Sequence, residues 1–247
     1  MSSSEPPAKI QVLATGVYEH VLEDLAAPFA RATGHAVAFV ITNAGGVIAR
    51  LEAAGQAADV VMTSAAGIDS LAAKGHVIGA TRVDVGGMRL GVAVQAGAPA
   101  LDIATPAALR DALRAAPVAY IDPHGGGTSG PFLAKAFGRL GVADQVRAHG
   151  VLCATGRDVV QAVASGRAAL GLTQAGELIG VPGVAFAGFL PDELQVVTVY
   201  AMAVAANTKA HDAAKSFVTF ITGPVAAERF RSSGWQVARS SRQAAGS

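Results

Sequence analysis

The sequence predicts an α/β fold of two lobes, and three observations support this prediction. First, strand, tight polar turn and helix follow one another three times, which is the pattern of a parallel sheet with helices on its faces. Second, the apolar run Arg89–Gln95 is long enough for a strand that crosses between lobes. Third, the strand Gln195–Val204 can return the chain to the first lobe. We therefore assign residues 1–84 and 198–247 to lobe 1, and residues 85–197 to lobe 2.

The elements of lobe 1 follow from short apolar runs and the helices after them. We place its first three strands at Lys9–Ala14, Val37–Ile41 and Ala58–Met62. The first helix has an apolar face at four-residue spacing, formed by Val17, Val21, Leu25 and Phe29. Gly34 ends this helix, because glycine is the usual residue just past a helix terminus.

Lobe 2 repeats the alternation of strand and helix. Thr105 and Pro106 mark the start of a helix. Strands are predicted at Pro117–Ile121, Val151–Ala154, Ala169–Leu172 and Val184–Phe189. The helix after the first of these strands carries predicted inward residues at Phe132, Leu133, Phe137 and Leu140. Two final helices, with Phe217 and Phe230 on their apolar faces, complete the chain.

The glycine-rich stretch between Ile121 and Pro131 is the strongest local signal. Its three consecutive glycines let the backbone approach a neighbouring group, since no Cβ intervenes. Thr128 or Ser129 can cap the following helix, and Pro131 suits its first turn. Such a helix start offers free N–H groups and hydroxyls to an anion. The alternative is a turn that serves geometry only. No Gly-Lys-Ser/Thr sequence follows, so the stretch is not a nucleotide-binding loop.

Three further strand-to-helix junctions carry small or hydroxyl residues, two in lobe 1 and one in lobe 2. They lie at Thr15-Gly16, Thr42 to Gly46 and Thr155-Gly156. Because ligands of open α/β sheets bind beyond the carboxyl ends of the strands, we expect the junctions to face each other across a cleft for a small anion. The predicted ligand-binding residues are Thr15, Gly16, Thr42, Asn43, Gly45, Gly46, Arg89, Gly126, Gly127, Thr128, Ser129, Thr155, Gly156 and Gln174.

Composition excludes several classes of partner. The net charge of +1 and the lack of a Lys/Arg cluster argue against nucleic acid or a membrane surface. No apolar run approaches the roughly 20 residues of a membrane-spanning helix. The histidines show no metal-ligand spacing, and the single cysteine, Cys153, lies in an apolar run that favours a buried structural thiol. We expect a monomer with no metal and no cofactor.

The N-terminal segment Met1–Pro7 is short and polar, and it lacks the basic and then apolar pattern of a signal peptide. The sequence as it stands therefore indicates a cytoplasmic protein. The alternative is a periplasmic protein from which a signal peptide has been removed.

Two segments carry a resemblance to a known family. The strand Ala58-Asp59-Val60-Val61 and the segment Phe220–Glu228 are similar to those of the molybdate-binding proteins of ABC transporters, and the likeness runs from about Ile10 to Val237. The resemblance implies a type II periplasmic-binding-protein fold, in which mixed sheets flanked by helices form two lobes around a ligand cleft. It also implies an ABC transporter permease as a partner if the protein is exported.

The chain departs from this family at the ligand. The molybdate proteins usually carry Ala-Ser in the first turn, a run of serines in the second and a tyrosine after a later strand. Here these places hold Thr15-Gly16, Thr42 to Gly46 and Gln174. The chain resembles more closely a divergent branch that includes aconitate isomerase, an enzyme built on the same fold.

Two functions remain open, and with them whether the protein is an enzyme. The leading hypothesis is a solute-binding protein that closes on an organic carboxylate or oxyanion, with Arg89 as a fork for a carboxylate; a solvent-facing arginine is the alternative. The second is an aconitate-isomerase-like enzyme that moves a double bond by general-base proton transfer. His124, Glu19 and Glu177 are the candidate bases, although Glu19 equally suits a helix dipole and Glu177 a helix cap. A cytoplasmic ligand sensor is a third possibility.

Overall fold

The computed structural model describes residues 7–53 and 58–237. The segment 1–6, which bears on the signal-peptide prediction, lies outside the described residues. Across the described ranges the chain forms the predicted α/β fold, with strands that run in order β2-β1-β3-β9-β4-β7-β5-β6 and β8 paired to β4. The strands are β1 Lys9–Thr15, β2 Ala36–Thr42, β3 Val60–Ser64, β4 Val83–Gln95, β5 Val118–Ile121, β6 Val151–Cys153, β7 Leu170–Gln174, β8 Val184–Phe189 and β9 Val197–Val204.

Each lobe is built on a mixed sheet. In lobe 1, β1 pairs in parallel with both β2 and β3, and β9 runs antiparallel to β3. In lobe 2, β5 pairs in parallel with β6 and β7, while β7 and β8 both run antiparallel to β4. The parallel pairs place the carboxyl ends of β1 and β2 together in one lobe and those of β5, β6 and β7 together in the other, as the predicted cleft requires.

Strand β4 joins the two sheets. Its first half, Val83–Arg89, pairs with β9 of lobe 1, and its second half, from Leu90, pairs with β7 and β8 of lobe 2. The predicted strand at Arg89–Gln95 is therefore only the lobe 2 half, because the paired glycines Gly86 and Gly87 hide the strand character of the first half. The lobe boundaries proposed from the sequence stay a prediction.

The crossing strand is also held by the C-terminal segment. Gly87 and Gln236 exchange both backbone hydrogen bonds, at 2.9 and 2.8 Å between nitrogen and oxygen. A Cβ at Gly86 would lie 2.7 Å from the carbonyl oxygen of Gln236, so only glycine allows this close approach. Trp235, next to this contact, packs in the lobe 1 core against Tyr18.

The helices cover the faces of both sheets. They are α1 Glu19–Thr33, α2 Ala44–Glu52, α3 Ala65–Ala73, α4 Pro106–Ala115, α5 Gly130–Leu140, α6 Ala143–His149, α7 Gly156–Ala164, α8 His211–Ile221 and α9 Pro224–Ser232. The predicted apolar face of the first helix is buried, and Gly34 ends α1 at a φ of 77°. The prediction for Phe132 is wrong: its side chain is exposed, because the buried stripe of α5 runs through Leu133 and Phe137. Helix α6 has no predicted counterpart, since Val146 is its only buried residue.

One further prediction concerns the single cysteine. Cys153 is buried, as predicted, and burial raises the pKa of its thiol to about 11. Within the described ranges, no helix combines the length and apolar character needed to cross a membrane. The same ranges contain no cluster of three or more His, Cys, Asp or Glu side chains that could hold a metal ion.

Candidate functional site

The four predicted junctions meet at one cavity between the lobes, which we call the inner cavity. Its volume is about 30 Å³, which is room for roughly two waters or one compact ligand group. Ten of the predicted ligand-binding residues line it: Thr15, Gly16, Thr42, Asn43, Gly127, Thr128, Ser129, Thr155, Gly156 and Gln174. The structure thus brings these ten residues together, and their role as ligand contacts stays a prediction.

Hydrogen-bond donors converge on the inner cavity from both lobes. The hydroxyl of Thr15 is buried and has no partner among the described residues. On the other side, Ser129 and Thr155 precede the first turns of α5 and α7, where backbone N–H groups lack intrahelical partners. Thr155 and Asp158 form a capping box that fixes the start of α7. The cavity therefore presents neutral donors and two helix N-termini to its contents.

Asn43 and Gly45 hold the lobes together across the cleft. The Asn43 side chain donates to the carbonyl oxygens of Gly125 and Ala154, at 3.0 and 3.3 Å. The Gly45 N–H donates to the carbonyl oxygen of Gly126 at 2.8 Å. A Cβ at Gly45 would lie 3.1 Å from the Cα of Gly126, so these two backbones meet closely because neither bears a side chain.

Gly45, Gly126 and Gly46 accordingly do not line the inner cavity, and their prediction as ligand contacts needs correction. Gly45 and Gly126 close the cleft instead. The N–H of Gly46 is occupied as well, since it donates to the Asn43 side chain that caps α2, at 2.8 Å. The turn after β2 thus contributes Thr42 and Asn43 to the cavity, while its glycines allow the close contact between lobes.

A hydrogen-bonded row of side chains forms the floor of the inner cavity. Tyr200 on β9 contacts the Thr128 hydroxyl, with 2.8 Å between the oxygens. The Gln174 side chain donates to the hydroxyls of Thr128 and Thr198, at 3.3 and 3.1 Å. In this orientation the side-chain oxygen of Gln174 is buried without a partner among the described residues. The floor therefore holds Thr198 and Tyr200 of β9 against Thr128 and Gln174 of lobe 2.

Glu177 brings a carboxyl group to the edge of the inner cavity. A Cβ added at Gly16 would lie 2.8 Å from Oε1 of Glu177, and one at Gly156 only 2.2 Å from its Cδ. The carboxyl therefore packs between two bare backbones, one from each lobe, although the residue as a whole keeps some exposure. The Thr173 hydroxyl donates to Oε2 at 2.5 Å. Burial raises the pKa of Glu177 to about 7, with the nearby Glu19 adding to the rise and the Thr173 hydrogen bond opposing it.

Beyond Glu177 the cleft widens into what we call the outer chamber, with a volume of about 610 Å³. It shares four residues with the inner cavity and adds the following seven: Glu19, His20, Glu23, Ile41, Arg157, Val160 and Val181. Arg157 of lobe 2 pairs with Glu19 of lobe 1 across this chamber. That ion pair explains a cation in the first turn of α7, where the helix dipole alone would disfavour it.

Comparison with known proteins agrees with this architecture. Residues 10–236 match the model of the family described as bacterial extracellular solute-binding protein. The chain belongs to this family. The match spans both lobes and every strand of the sheets, so the resemblance seen in the sequence is confirmed.

Individual relatives of this solute-binding protein fall into two kinds. An aconitate isomerase from a Pseudomonas species is 29% identical over 238 residues, which cover 94% of this chain and 89% of the relative. The periplasmic molybdate-binding protein of Azotobacter vinelandii has the same fold, with a TM-score of 0.81, 21% identity and coverage of 93% of this chain and 100% of that one. The sulfate-binding protein SubI of Mycobacterium tuberculosis H37Rv superposes with a TM-score of 0.73 at 20% identity, covering 96% of this chain and 90% of that one.

Two further predicted site residues of the solute-binding protein line neither space. Arg89 pairs with Asp192 at 2.8 Å between Nη2 and Oδ1, and its guanidinium stacks over Phe189, 4.4 Å from the ring centre. It anchors the crossing strand and does not contact the cleft, so the prediction of a ligand fork needs correction. His124 is exposed on the glycine loop and lines neither space. The structure therefore gives no support to His124 as a base.

Five residues of the inner cavity were missed from the sequence: Val17, Ala44, Ile121, Ala154 and Tyr200. Four of them are apolar. Val17 and Ala154 are immediate neighbours of predicted junctions, Ala44 lies inside one, and Ile121 ends the predicted strand before the glycine-rich stretch, so their positions could have been included. Tyr200 gives a weaker signal, a tyrosine in the otherwise apolar second half of β9. Its hydroxyl is buried and hydrogen-bonded to Thr128, and burial raises its pKa above the ordinary value.

Proposed function

We propose that this solute-binding protein closes its lobes on a small anion held in the inner cavity. The observation that carries the proposal is the buried, unpartnered hydroxyl of Thr15. A buried hydroxyl without a partner costs free energy, and a ligand oxygen that accepts its hydrogen bond removes that cost. The helix starts at Ser129 and Thr155 face the same space and favour negative charge there.

The donor set suits an anion stripped of water. Among the residues that line the inner cavity there is no lysine or arginine, so its donors are hydroxyls and backbone N–H groups. Such preorganised neutral donors stabilise an anion in a water-poor site without the desolvation cost of a buried cation. The known binding of molybdate and sulfate by proteins of the same fold supports an oxyanion or carboxylate. By analogy we assign the protein to the periplasm and to an ABC transporter permease.

Isothermal titration with phosphate, sulfate, molybdate and citrate tests this proposal. We expect at least one of these anions to bind, and Thr15→Val to weaken that binding about tenfold, the loss of one hydrogen bond of about 1.4 kcal/mol. Thr222→Val is the matched control, since Thr222 is exposed at the end of α8. Absence of binding to any anion, or equal binding by the Thr15 variant, would contradict the proposal.

Glu177 favours a second candidate function, an isomerase that moves a double bond in a carboxylate. A carboxyl with a pKa of about 7 is suited to exchange protons near neutral pH. The 29% identity to an aconitate isomerase supports the same candidate. Against it, the inner cavity takes one compact group, and the rest of a tricarboxylate would extend toward Glu19 and Glu23 in the outer chamber.

Proton NMR with trans-aconitate in deuterated buffer separates the two functions. An isomerase would convert the compound or introduce deuterium, and Glu177→Gln would abolish this exchange. Glu19→Gln would retain it, because Glu19 is paired with Arg157 and lies outside the inner cavity. Line broadening without conversion would favour the binding protein.

A further inference from the structure

Two hydrogen-bond acceptors face an inner cavity that otherwise offers donors. One is the carboxyl of Glu177, and the other is the unpartnered side-chain oxygen of Gln174. An anion has only acceptors unless it bears a hydroxyl or an acidic proton. The two acceptors therefore have no favourable role toward a bare anion, although they lie in the same space as the Thr15 hydroxyl.

The position of the Glu177 carboxyl is fixed from three sides. Gly16 and Gly156 confine it between the lobes, and Thr173 holds Oε2 at 2.5 Å. Ser129, at the start of α5, lies 3.4 Å from the Thr173 hydroxyl and links this group to the helix start. An ionised carboxylate accepts about four hydrogen bonds, so Thr173 leaves capacity for a ligand donor. Closure of the lobes thus places an acceptor at a defined point beside the anion.

We propose that the ligand is an anion that carries its own hydrogen-bond donor, a hydroxyl or an acidic proton, and that Glu177 selects it by accepting that donor. This inference rests on the proposed binding of a small anion. Glu177 is then the specificity-determining residue of the site. Hydrogen phosphate and 2-hydroxy acids belong to the accepted class, and sulfate, which has no proton at neutral pH, belongs to the rejected class.

This preference for a ligand with a donor follows from whether Glu177 repels or attracts the ligand. An ionised Glu177 repels a bare anion at contact distance in a water-poor cavity, whereas a ligand hydroxyl between the two negative charges converts the contact into a charge-assisted hydrogen bond. A bare anion can enter only after Glu177 has taken up a proton. Its affinity must therefore fall as pH rises above the pKa of Glu177, about tenfold per pH unit.

Other groups that titrate or carry charge face this site. They are Glu19, His20, Glu23 and Arg157 in the outer chamber, and Tyr200 in the floor of the inner cavity. Glu19 and Arg157 pair with each other, and Tyr200 stays neutral because burial raises its pKa. His20 shares the outer chamber with Glu177, so the test below separates its contribution by substitution.

Phosphate and sulfate are a matched pair for the test, because both are tetrahedral and phosphate alone keeps a proton near neutral pH. We measure both dissociation constants by calorimetry at about pH 6 and about pH 8.5. For the unmodified protein we expect the affinity for sulfate to fall at least tenfold between these two pH values. At the higher pH we expect phosphate to bind at least tenfold more tightly than sulfate. A parallel comparison of glycolate with acetate tests the same preference with carboxylates.

Two variants show which residue causes the pH dependence and the preference for phosphate. In Glu177→Gln the amide cannot ionise, so sulfate affinity becomes independent of pH and phosphate loses its advantage. His20→Gln keeps the pH dependence of the unmodified protein. Equal binding of both members of each pair at high pH, or a preference that survives Glu177→Gln, would overturn the inference while leaving anion binding intact. Absence of binding to all four probes would instead overturn the proposed function, and the inference with it.

Discussion

The replacement Gly156→Ala tests the position of the Glu177 carboxyl with a single methyl group. The added Cβ would lie 2.2 Å from Cδ of Glu177, which is 1.2 Å short of the 3.4 Å where ordinary contact begins. Gly16 lies on the other side of the carboxyl, where a Cβ would stand 2.8 Å from Oε1, so little room is left for retreat in that direction. The carboxyl must therefore move more than 1 Å toward the outer chamber, and the 2.5 Å hydrogen bond from Thr173 breaks.

A displacement of this size has a calculable effect on ligand affinity. The displaced carboxyl can no longer accept the proton of hydrogen phosphate, and a hydrogen bond to a charged group is worth about 1.5–3 kcal/mol, which corresponds to a loss of roughly 10- to 150-fold in affinity for phosphate. Folding should not suffer in proportion, since alanine favours a helix over glycine by up to about 1 kcal/mol. We expect phosphate binding to fall within this range while the melting temperature stays near that of the unmodified protein.

Calorimetry and thermal melting of the unmodified protein and its variants provide the assay. Gly138→Ala is the matched control: Gly138 lies in α5, and a Cβ there meets no atom within 4 Å. It should raise stability slightly and leave phosphate affinity unchanged. In a Glu177→Ala background, Gly156→Ala should cause almost no further loss of phosphate affinity, because the carboxyl that the added Cβ would contact has been removed. Normal phosphate affinity in Gly156→Ala, or an equal further loss in the Glu177→Ala background, would refute the placement of the carboxyl.

Three further predictions concern stability and reactivity. The pKa of Glu177 is raised in the folded state, so its contribution to stability is full below the ordinary carboxyl pKa of about 4.5 and is lost by about pH 7. Denaturant unfolding should therefore show that the free energy of unfolding declines by up to roughly 3 kcal/mol over this interval, and Glu177→Gln should lack the decline. Asp59→Ala should lower the free energy of unfolding by about 2–3 kcal/mol in the same assay, since the Asp59 carboxylate accepts hydrogen bonds from the Gln11 N–H at 2.7 Å and from the Thr208 hydroxyl. Cys153 should react with a thiol reagent at about pH 8 only as fast as the protein opens, because the thiol is buried and stays protonated.

Controls make these three results decisive. A pH dependence that is equal in Glu177→Gln and the unmodified protein would assign the titration to another group. Asp102→Ala is a matched exposed aspartate, which accepts a local hydrogen bond from Ala104, and it should cost far less than Asp59→Ala. Rapid labelling of Cys153 in native buffer, at the rate seen in denaturant, would show that the strand β6 is not packed as described.

The strands and helix starts could be predicted from the sequence because they depend on local patterns. Four-residue apolar spacing located α1, and hydroxyl residues before glycine or proline located the starts of α4 and α7. The four junctions were found by the same local chemistry and then placed together by a topological rule. Nine residues of the inner cavity follow from these two steps alone, and the tenth, Gln174, came from the position of the family's tyrosine.

What the sequence could not show is which distant part of the chain each of these residues contacts. Arg89 is separated from Asp192 by more than a hundred positions, and no local pattern announces that their pairing removes Arg89 from the cleft. Gly45 and Gly126 are indistinguishable in sequence from glycines that approach a ligand, yet they approach each other. The raised pKa of Glu177 likewise depends on enclosure between Gly16 and Gly156, which exists only when both lobes meet.

The contact of Gly87 with Gln236 has a mechanical meaning. The pivot between the lobes contains β4 and β9, and the segment around Gln236 lies as a third ribbon beside it, joined by two hydrogen bonds. A Cβ at Gly87 would also lie 2.6 Å from the Val197 side chain, so the ribbons have almost no free space to slide. We therefore expect the lobes to separate by a twist of β4, β9 and the segment around Gln236 rather than by sliding. In that case this C-terminal segment, on the far side of the molecule from the ligand, limits how far the lobes open.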